Sequence, residues 1–354
     1  MPGAGSPETT SLVHTRSPER EEVACPLCRA SRSRLSFRTH DLMVRTEEVF
    51  SWVVCTECHL YYLNPRPPAS VIGEFYPQTY YSYQAEGHAV PGSTWGGQET
   101  LQLSLKSTLL RGGAGAVLYR LLKAVKGTFL RALAIPSEEI RIGIPPGPPG
   151  RILDVGCGAG QFLDRLRRSG WDTWGVEISP DAAERARLHG HQVAVGHLVA
   201  LDLPPASFDA VRLWHTLEHV HDPVPLLRVC RRLLKPDGTL IIGVPNVAGM
   251  PSHLYGRYWM GWDVPRHMLA FSPAVLRRLL AETGFATTDL HIFATPLLLA
   301  LSAAWKRGQA LESLDEHPGT SRAFYHWLAT LFTCLRLGDV MSARGRPLVG
   351  AVRP

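Results

Sequence analysis

The chain has 354 residues, 45% of them hydrophobic and 19% charged, with a net charge of +6. That length carries one large domain with an appendage, or two ordinary domains, and the composition excludes a disordered or fibrous protein. The mild positive excess lies in scattered arginines and is no basis by itself for nucleic-acid binding.

No charged and then apolar leader opens Met1 to Glu22, and no apolar run reaches membrane-spanning length, so a cytoplasmic location is expected. Residues 1–22 are rich in Pro, Gly, Ser, Thr and charge and predict a mobile tail. A small module follows over residues 23–68, with Cys25-Pro-Leu-Cys28 and Cys55-Thr-Glu-Cys58 on either side of strand-like stretches. Four of the seven cysteines in two such pairs point to a reducing compartment and to metal chemistry, not to a disulfide scaffold. Cys25, Cys28, Cys55 and Cys58 can set four thiolates tetrahedrally around Zn²⁺. A structural staple for a module too small to hold its own core is the favoured role. A thiol oxidoreductase needs only one pair, and Arg29, Arg32, Arg34 and Arg38 make little of a nucleic-acid footprint.

Residues 69–150 predict a helical lid and linker. The tyrosines from Tyr76 to Tyr83 either line a pocket or pack the module onto the next domain. From Leu101 to Ala134 leucines recur at helical spacing between basic residues, interrupted by Gly112, Gly113 and Gly115. A lid over a site is preferred there to a peripheral membrane contact. Pro145 to Gly150 marks a boundary.

From residue 151 the pattern turns regular. A buried strand, Ile152 to Val155, runs into Gly156-Cys157-Gly158-Ala159-Gly160 and the amphipathic run Gln161–Arg168. Strands at 173–177, 192–195, 208–214 and 239–244 alternate with helices at 180–188 and 223–234. A sixth strand is expected at 288–294 and a last, antiparallel one within 339–352, with apolar helical cover between them. This predicts an α/β, doubly wound, mostly parallel sheet over 151–295, with a cover over 296–354 and ligands beyond the carboxyl ends of the strands. Glu177 ends the second strand about 20 residues past the glycines, where a carboxylate takes both ribose hydroxyls of a nucleoside.

Five stretches, Ile152 to Gly160, Gly175 to Ser179, Ser207 to Val211, Leu217 to Val220 and Leu234 to Gly238, resemble in order the motifs of class I S-adenosylmethionine-dependent methyltransferases. The Leu217-Glu218-His219-Val220 stretch and Asp263 to His267 are similar to the subgroup of ubiquinone-pathway O-methyltransferases and bacterial sugar and natural-product enzymes. The paired cysteines with Asn64-Pro65-Arg66-Pro67 resemble the amino-terminal zinc segment of some sugar C-methyltransferases.

The resemblance implies a seven-stranded Rossmann-like sheet with a zinc-ribbon-like module. It also implies a methionine site at Asp154, Gly156, Cys157, Gly158 and Gly160, ribose on Glu177, adenine against Ile178, and Trp214 in the same crevice. The acid that commonly follows the third strand is missing: His197 and Leu198 stand there and Asp202 comes late. In-line methyl transfer needs alignment and water exclusion more than catalytic groups. If a base is used, His219 beside Glu218, or His267 in a proline-bounded loop able to descend as a lid, is the expected choice. The implied activity is methylation of a small molecule, such as a sugar, polysaccharide precursor or secondary metabolite. The alternative is an inactive methyltransferase-like binding protein whose zinc module docks nucleic acid or a protein. The oligomeric state is not readable.

Overall fold

A computed structural model describes residues 19–76, 136–309 and 320–348. The amino-terminal tail and the basic amphipathic segment from Leu101 to Ala134 lie outside the described residues, as do the tyrosines after Tyr76.

Two sheets organise the chain. The small one is antiparallel, in the order β1 (Ser33–His40), β2 (Val49–Cys55), β3 (Tyr61–Leu63) and β9 (Leu269–Ala270). The large one runs β10 (Phe285–Phe293), β11 (Val340–Pro347), β8 (Leu234–Pro245), β7 (Phe208–Trp214), β4 (Arg151–Val155), β5 (Asp172–Glu177) and β6 (Gln192–Val195). Pairing from β6 through β8 is parallel, and β11 inserts antiparallel between β8 and β10. This is the seven-stranded, mostly parallel sheet expected, with β8 and β10 beginning earlier than the sequence pattern suggests. Sequence order reverses direction between β4 and β7, the switch point where an open α/β sheet leaves a crevice.

The helices start where their sequences say. Ser179, Asp222 and Ser272 cap α3 (Pro180–Leu188), α4 (Pro223–Leu233) and α6 (Pro273–Glu282), each accepting a first-turn amide at 3.3 Å, with proline next in line. Proline suits that position because its missing N–H has no partner there anyway. The other helices are α1 (Glu138–Ile142), α2 (Gln161–Arg168), α5 (Met250–Tyr255), α7 (Pro296–Lys306) and α8 (Thr320–Cys334). Among the described residues no helix is long and apolar enough to cross a membrane.

The module is tied to the core in two ways. Strand β9, from the core, pairs with β3 through Tyr61 and Tyr62. Beside it Arg266 is fully buried between two carboxylates, with Nη1 and Nη2 donating to Asp41 at 2.8 and 2.9 Å and Nη2 donating to Asp263 at 2.6 Å. Nη1 also donates to the Phe75 carbonyl. One guanidinium thus pairs with a module acid and a core acid at once, which offsets much of the cost of burying the three groups. His267 follows it and is 5% exposed. The proline-bounded loop is therefore no lid: Arg266 locks it into the core, and the expectation of a descending loop is corrected.

Candidate functional site

The four module thiols converge. Cys25 and Cys28, and Cys55 and Cys58, stand on two matching turns, each closed by a backbone bond to the first cysteine and a following residue in the left-handed region, Arg29 (φ 63°) and His59 (φ 62°). Sγ of Cys25 lies 3.4 Å from Cys58, and Cys28 lies 3.5 Å from Cys55; all four sulfurs fall within 4.8 Å of one another. Zinc–thiolate bonds near 2.3 Å in a tetrahedron separate sulfurs by about 3.8 Å, so the spacing fits a structural Zn²⁺. The cysteines of this cluster are unpaired by disulfides.

The second site sits at the switch point. Gly156, Gly158 and Gly160 all have positive φ (78°, 55° and 87°), which opens the turn between β4 and α2 without steric cost. A Cβ at Gly156 would come within 2.8 Å of Thr216 Oγ1, and one at Gly160 within 2.9 Å of Ala186. Thr216 in turn donates to the Val155 carbonyl at 2.8 Å, so the turn after β7 buttresses the glycine loop. Glu177 ends β5 with a buried carboxylate that accepts the Gly158 amide at 2.9 Å on one oxygen and the Ser179 amide at 2.9 Å on the other. Burial raises its pKa, opposed by those amides. Each oxygen accepts one amide and keeps a second lone pair for a further donor. Beside it Ile178 is 46% exposed, an apolar surface at a strand end with room for a flat ring. A preset carboxylate, a glycine cradle and an open apolar face fit the ribose, methionine and adenine parts of S-adenosylmethionine.

Asp154 is where the sequence puts it, at the end of β4, but a partner the sequence reading missed is beside it. Arg212 of β7, its cross-strand neighbour, donates from Nη1 at 2.8 Å and from Nη2 to the Ile142 carbonyl at 3.1 Å. Its guanidinium lies 3.6 Å over the Phe162 ring. Burial raises the Asp154 pKa, and Arg212 pulls it back. An arginine amid the apolar strand Phe208–Trp214 was the available signal, because arginine is buried only with a partner. Cys157 is buried, and a Cβ at Gly175 would meet its Sγ at 2.5 Å, so its side chain packs against β5. The Trp214 indole is wedged against Gly143 and Gly243, either of which would collide with it if it bore a Cβ. Asp202 is exposed past the third strand.

After β7 three histidines and a glutamate cluster. Glu218 is fully buried, one oxygen accepting from His215 Nδ1 at 3.0 Å and the other without a partner among the described residues. Burial pushes its pKa up, but His215 and the neighbouring histidines outweigh that and leave it low. The His219 and His267 rings stand edge to face at 4.6 Å. His219 Nδ1 lies 3.0 Å from both the Arg266 carbonyl and the Tyr76 hydroxyl, and His267 Nδ1 donates to the Gly261 carbonyl at 2.8 Å. Burial and the facing His267 drop His219 to about 4, so it is neutral at physiological pH. His215 is part-exposed and, of the three histidines, is the one hydrogen-bonded to the buried Glu218 carboxylate.

Comparison with known proteins agrees with this geometry. Residues 130–290 match the family model described as a methyltransferase domain. The ubiquinone biosynthesis O-methyltransferase of Xanthomonas campestris pv. campestris (strain B100) is 41% identical over 106 residues, 28% of this chain and 44% of that protein. The same enzyme of Xanthomonas euvesicatoria pv. vesicatoria (strain 85-10) is 39% identical over 153 residues, 40% of this chain and 64% of that protein. The chain thus spans less than two thirds of the relatives it matches. Among solved structures, an S-adenosylmethionine-dependent methyltransferase from Mesorhizobium loti aligns at TM-score 0.42 and 19% identity, covering 63% of this chain and 97% of that one. One from Archaeoglobus fulgidus aligns at 0.40 and 19%, covering 63% and 93%. At that level of likeness they add nothing to what the strand order already gives.

Proposed function

We propose, from the premise that residues 130–290 are a methyltransferase domain, that the chain transfers the methyl group of S-adenosylmethionine to a hydroxyl of a small molecule. The observation that carries this is the joint of Glu177 and Gly158: a ribose-type carboxylate whose orientation is fixed by an amide of the very loop that receives the rest of the cofactor. When bound, S-adenosylmethionine supplies a methyl group on a positively charged sulfur, open to in-line attack.

The chain's own residues then align and shield. Glu177 takes the ribose hydroxyls and Ile178 backs the ring. Asp154 keeps one oxygen for the cofactor's ammonium while Arg212 holds the other. His215 takes the acceptor's proton at Nε2 while Glu218 receives its Nδ1–H. His219, neutral and wedged between Arg266, Tyr76 and His267, positions the Glu218 turn and is too weak a base at about 4 to deprotonate a hydroxyl at neutral pH. The choice of oxygen over nitrogen or carbon rests on the relatives' name, which also weighs toward an aromatic hydroxyl and away from a sugar.

The test is transfer of radiolabelled methyl from S-adenosylmethionine to a panel of catechols, phenols and sugars. Label in a phenolic product that falls at least about tenfold in His215→Gln, with cofactor affinity unchanged, supports the reading. Labelled sugars with phenols untouched would reject the acceptor, and no labelled product at all would reject the activity.

A further inference from the structure

A cleft of about 680 Å³ lies along the seam between the zinc module and the core, outside the cofactor crevice. Its floor is aromatic. Trp262 is buried with its Nε1–H fixed on the Gly256 carbonyl at 3.0 Å, and Phe37 and Tyr61 pack around it at centroid distances of 4.9 and 5.8 Å. Phe37 reaches that floor because β1 carries a bulge between Leu35 and Phe37, which shifts its register against β2. Bulges re-aim side chains in this way next to sites.

The rim is basic. Arg38 of β1, and His253 and Arg257 after β8, line the same hollow, and no carboxylate does. Among the described residues neither arginine has a carboxylate partner, so each can take an anion without first breaking an ion pair. Arg257 stands only near the Tyr258 ring, at 5.6 Å. Both guanidiniums are exposed at the mouth of the hollow, where charge-assisted hydrogen bonds to an anion are available to them. The volume suits one small molecule.

We propose that this cleft is a binding site for a flat ring carrying an anionic group, the ring lying against the part-exposed Phe37 and Tyr61 beside the buried Trp262 and the anion bridged by Arg38 and Arg257. Stacking on aromatic faces and charge-assisted hydrogen bonds from two guanidiniums recognise that combination and neither part alone. Such an anion comes from an aromatic carboxylate or from a nucleoside phosphate. The site stands independently of the methyl-transfer reading.

The full-length zinc-loaded protein is titrated, by tryptophan fluorescence and calorimetry, with benzoate, with uridine 5′-monophosphate, and with inorganic phosphate and benzyl alcohol as half-ligands. The expected result is millimolar or tighter binding of one ring-bearing anion, the responding arm naming its source, with both half-ligands at least about tenfold weaker. Arg38→Glu and Arg257→Glu, both at exposed positions, should each weaken it at least about tenfold. Binding of S-adenosylmethionine by the same variants serves as the fold check, so failure of the cofactor reading is seen separately. No binding of either ring anion at 10 mM or below (~10 mM, the weak end of small-ligand affinity) overturns the proposal. So does binding unchanged in both arginine variants, or inorganic phosphate binding as tightly as the ring anions.

Discussion

The zinc module and the cofactor crevice are built from opposite materials. In the module four thiols converge on one point and tie two turns together, beside strands whose apolar side chains pack onto the larger core rather than forming one of their own. In the crevice the contacts are largely backbone: three left-handed glycines and a loop amide that presets Glu177, on a seven-stranded sheet. The first site makes its fold; the second is made by its fold. Substitutions should therefore act on stability in the module and on affinity in the crevice, with Arg266 as the place where the two meet.

The largest effect is expected in the module. Cys58→Ser leaves three thiolates, and structural zinc is worth about 10–16 kcal/mol in small folding units. The variant should lose its zinc to a mild chelator and expose β1 to β3 to protease, both readable by metal analysis and limited proteolysis. Zinc retained at full stoichiometry would break the contrast.

Next comes the joint. Arg266→Met strands Asp41 and Asp263 as buried, unpaired carboxylates, a loss of about 3–5 kcal/mol in urea unfolding. Since one guanidinium serves both regions, module and core should melt together in the variant. A variant as stable as the parent would mean the pair of acids is solvated.

A smaller, pH-dependent effect lies at Asp339, at the start of β11. It is fully buried, one oxygen accepts the Thr295 amide at 3.1 Å and the other is unpaired among the described residues; burial pushes its pKa up to about 7. The unfolded chain releases this proton near 4 and the folded chain near 7, so folding stability falls as pH rises between those values and is level above. Asp339→Asn removes that loss. The variant should match the parent at pH 4 and exceed it by on the order of 2–4 kcal/mol at pH 8. His219, lowered to about 4, acts with the opposite sign, since stability drops as pH falls from its unfolded value toward 4. Only the difference between variant and parent isolates Asp339.

Much of this was legible in the sequence because the signals are local. Cysteine pairs two residues apart, glycines at every second position and a strand-end acid each state their chemistry within a few residues. What escaped was long-range. Nothing near Arg266 announces Asp41, 225 residues away, and its loop reads as mobile until that partner is known. Arg212 needed Asp154 across the sheet to make sense. His215 and Glu218 are three apart, the spacing of neighbours on a helical turn, and went unread because no turn was expected directly after the strand ending at Trp214.

The account's central claim is that the glycine loop and Glu177 form one preset cofactor site. Calorimetric titration of the zinc-loaded protein with S-adenosylmethionine, beside Glu177→Ala, tests it most directly. The expected result is saturable one-to-one binding that weakens by about 10–100-fold in the variant, with zinc content and unfolding midpoint of the module unchanged. An absence of heat in the parent, or equal affinity in the two proteins, would contradict it.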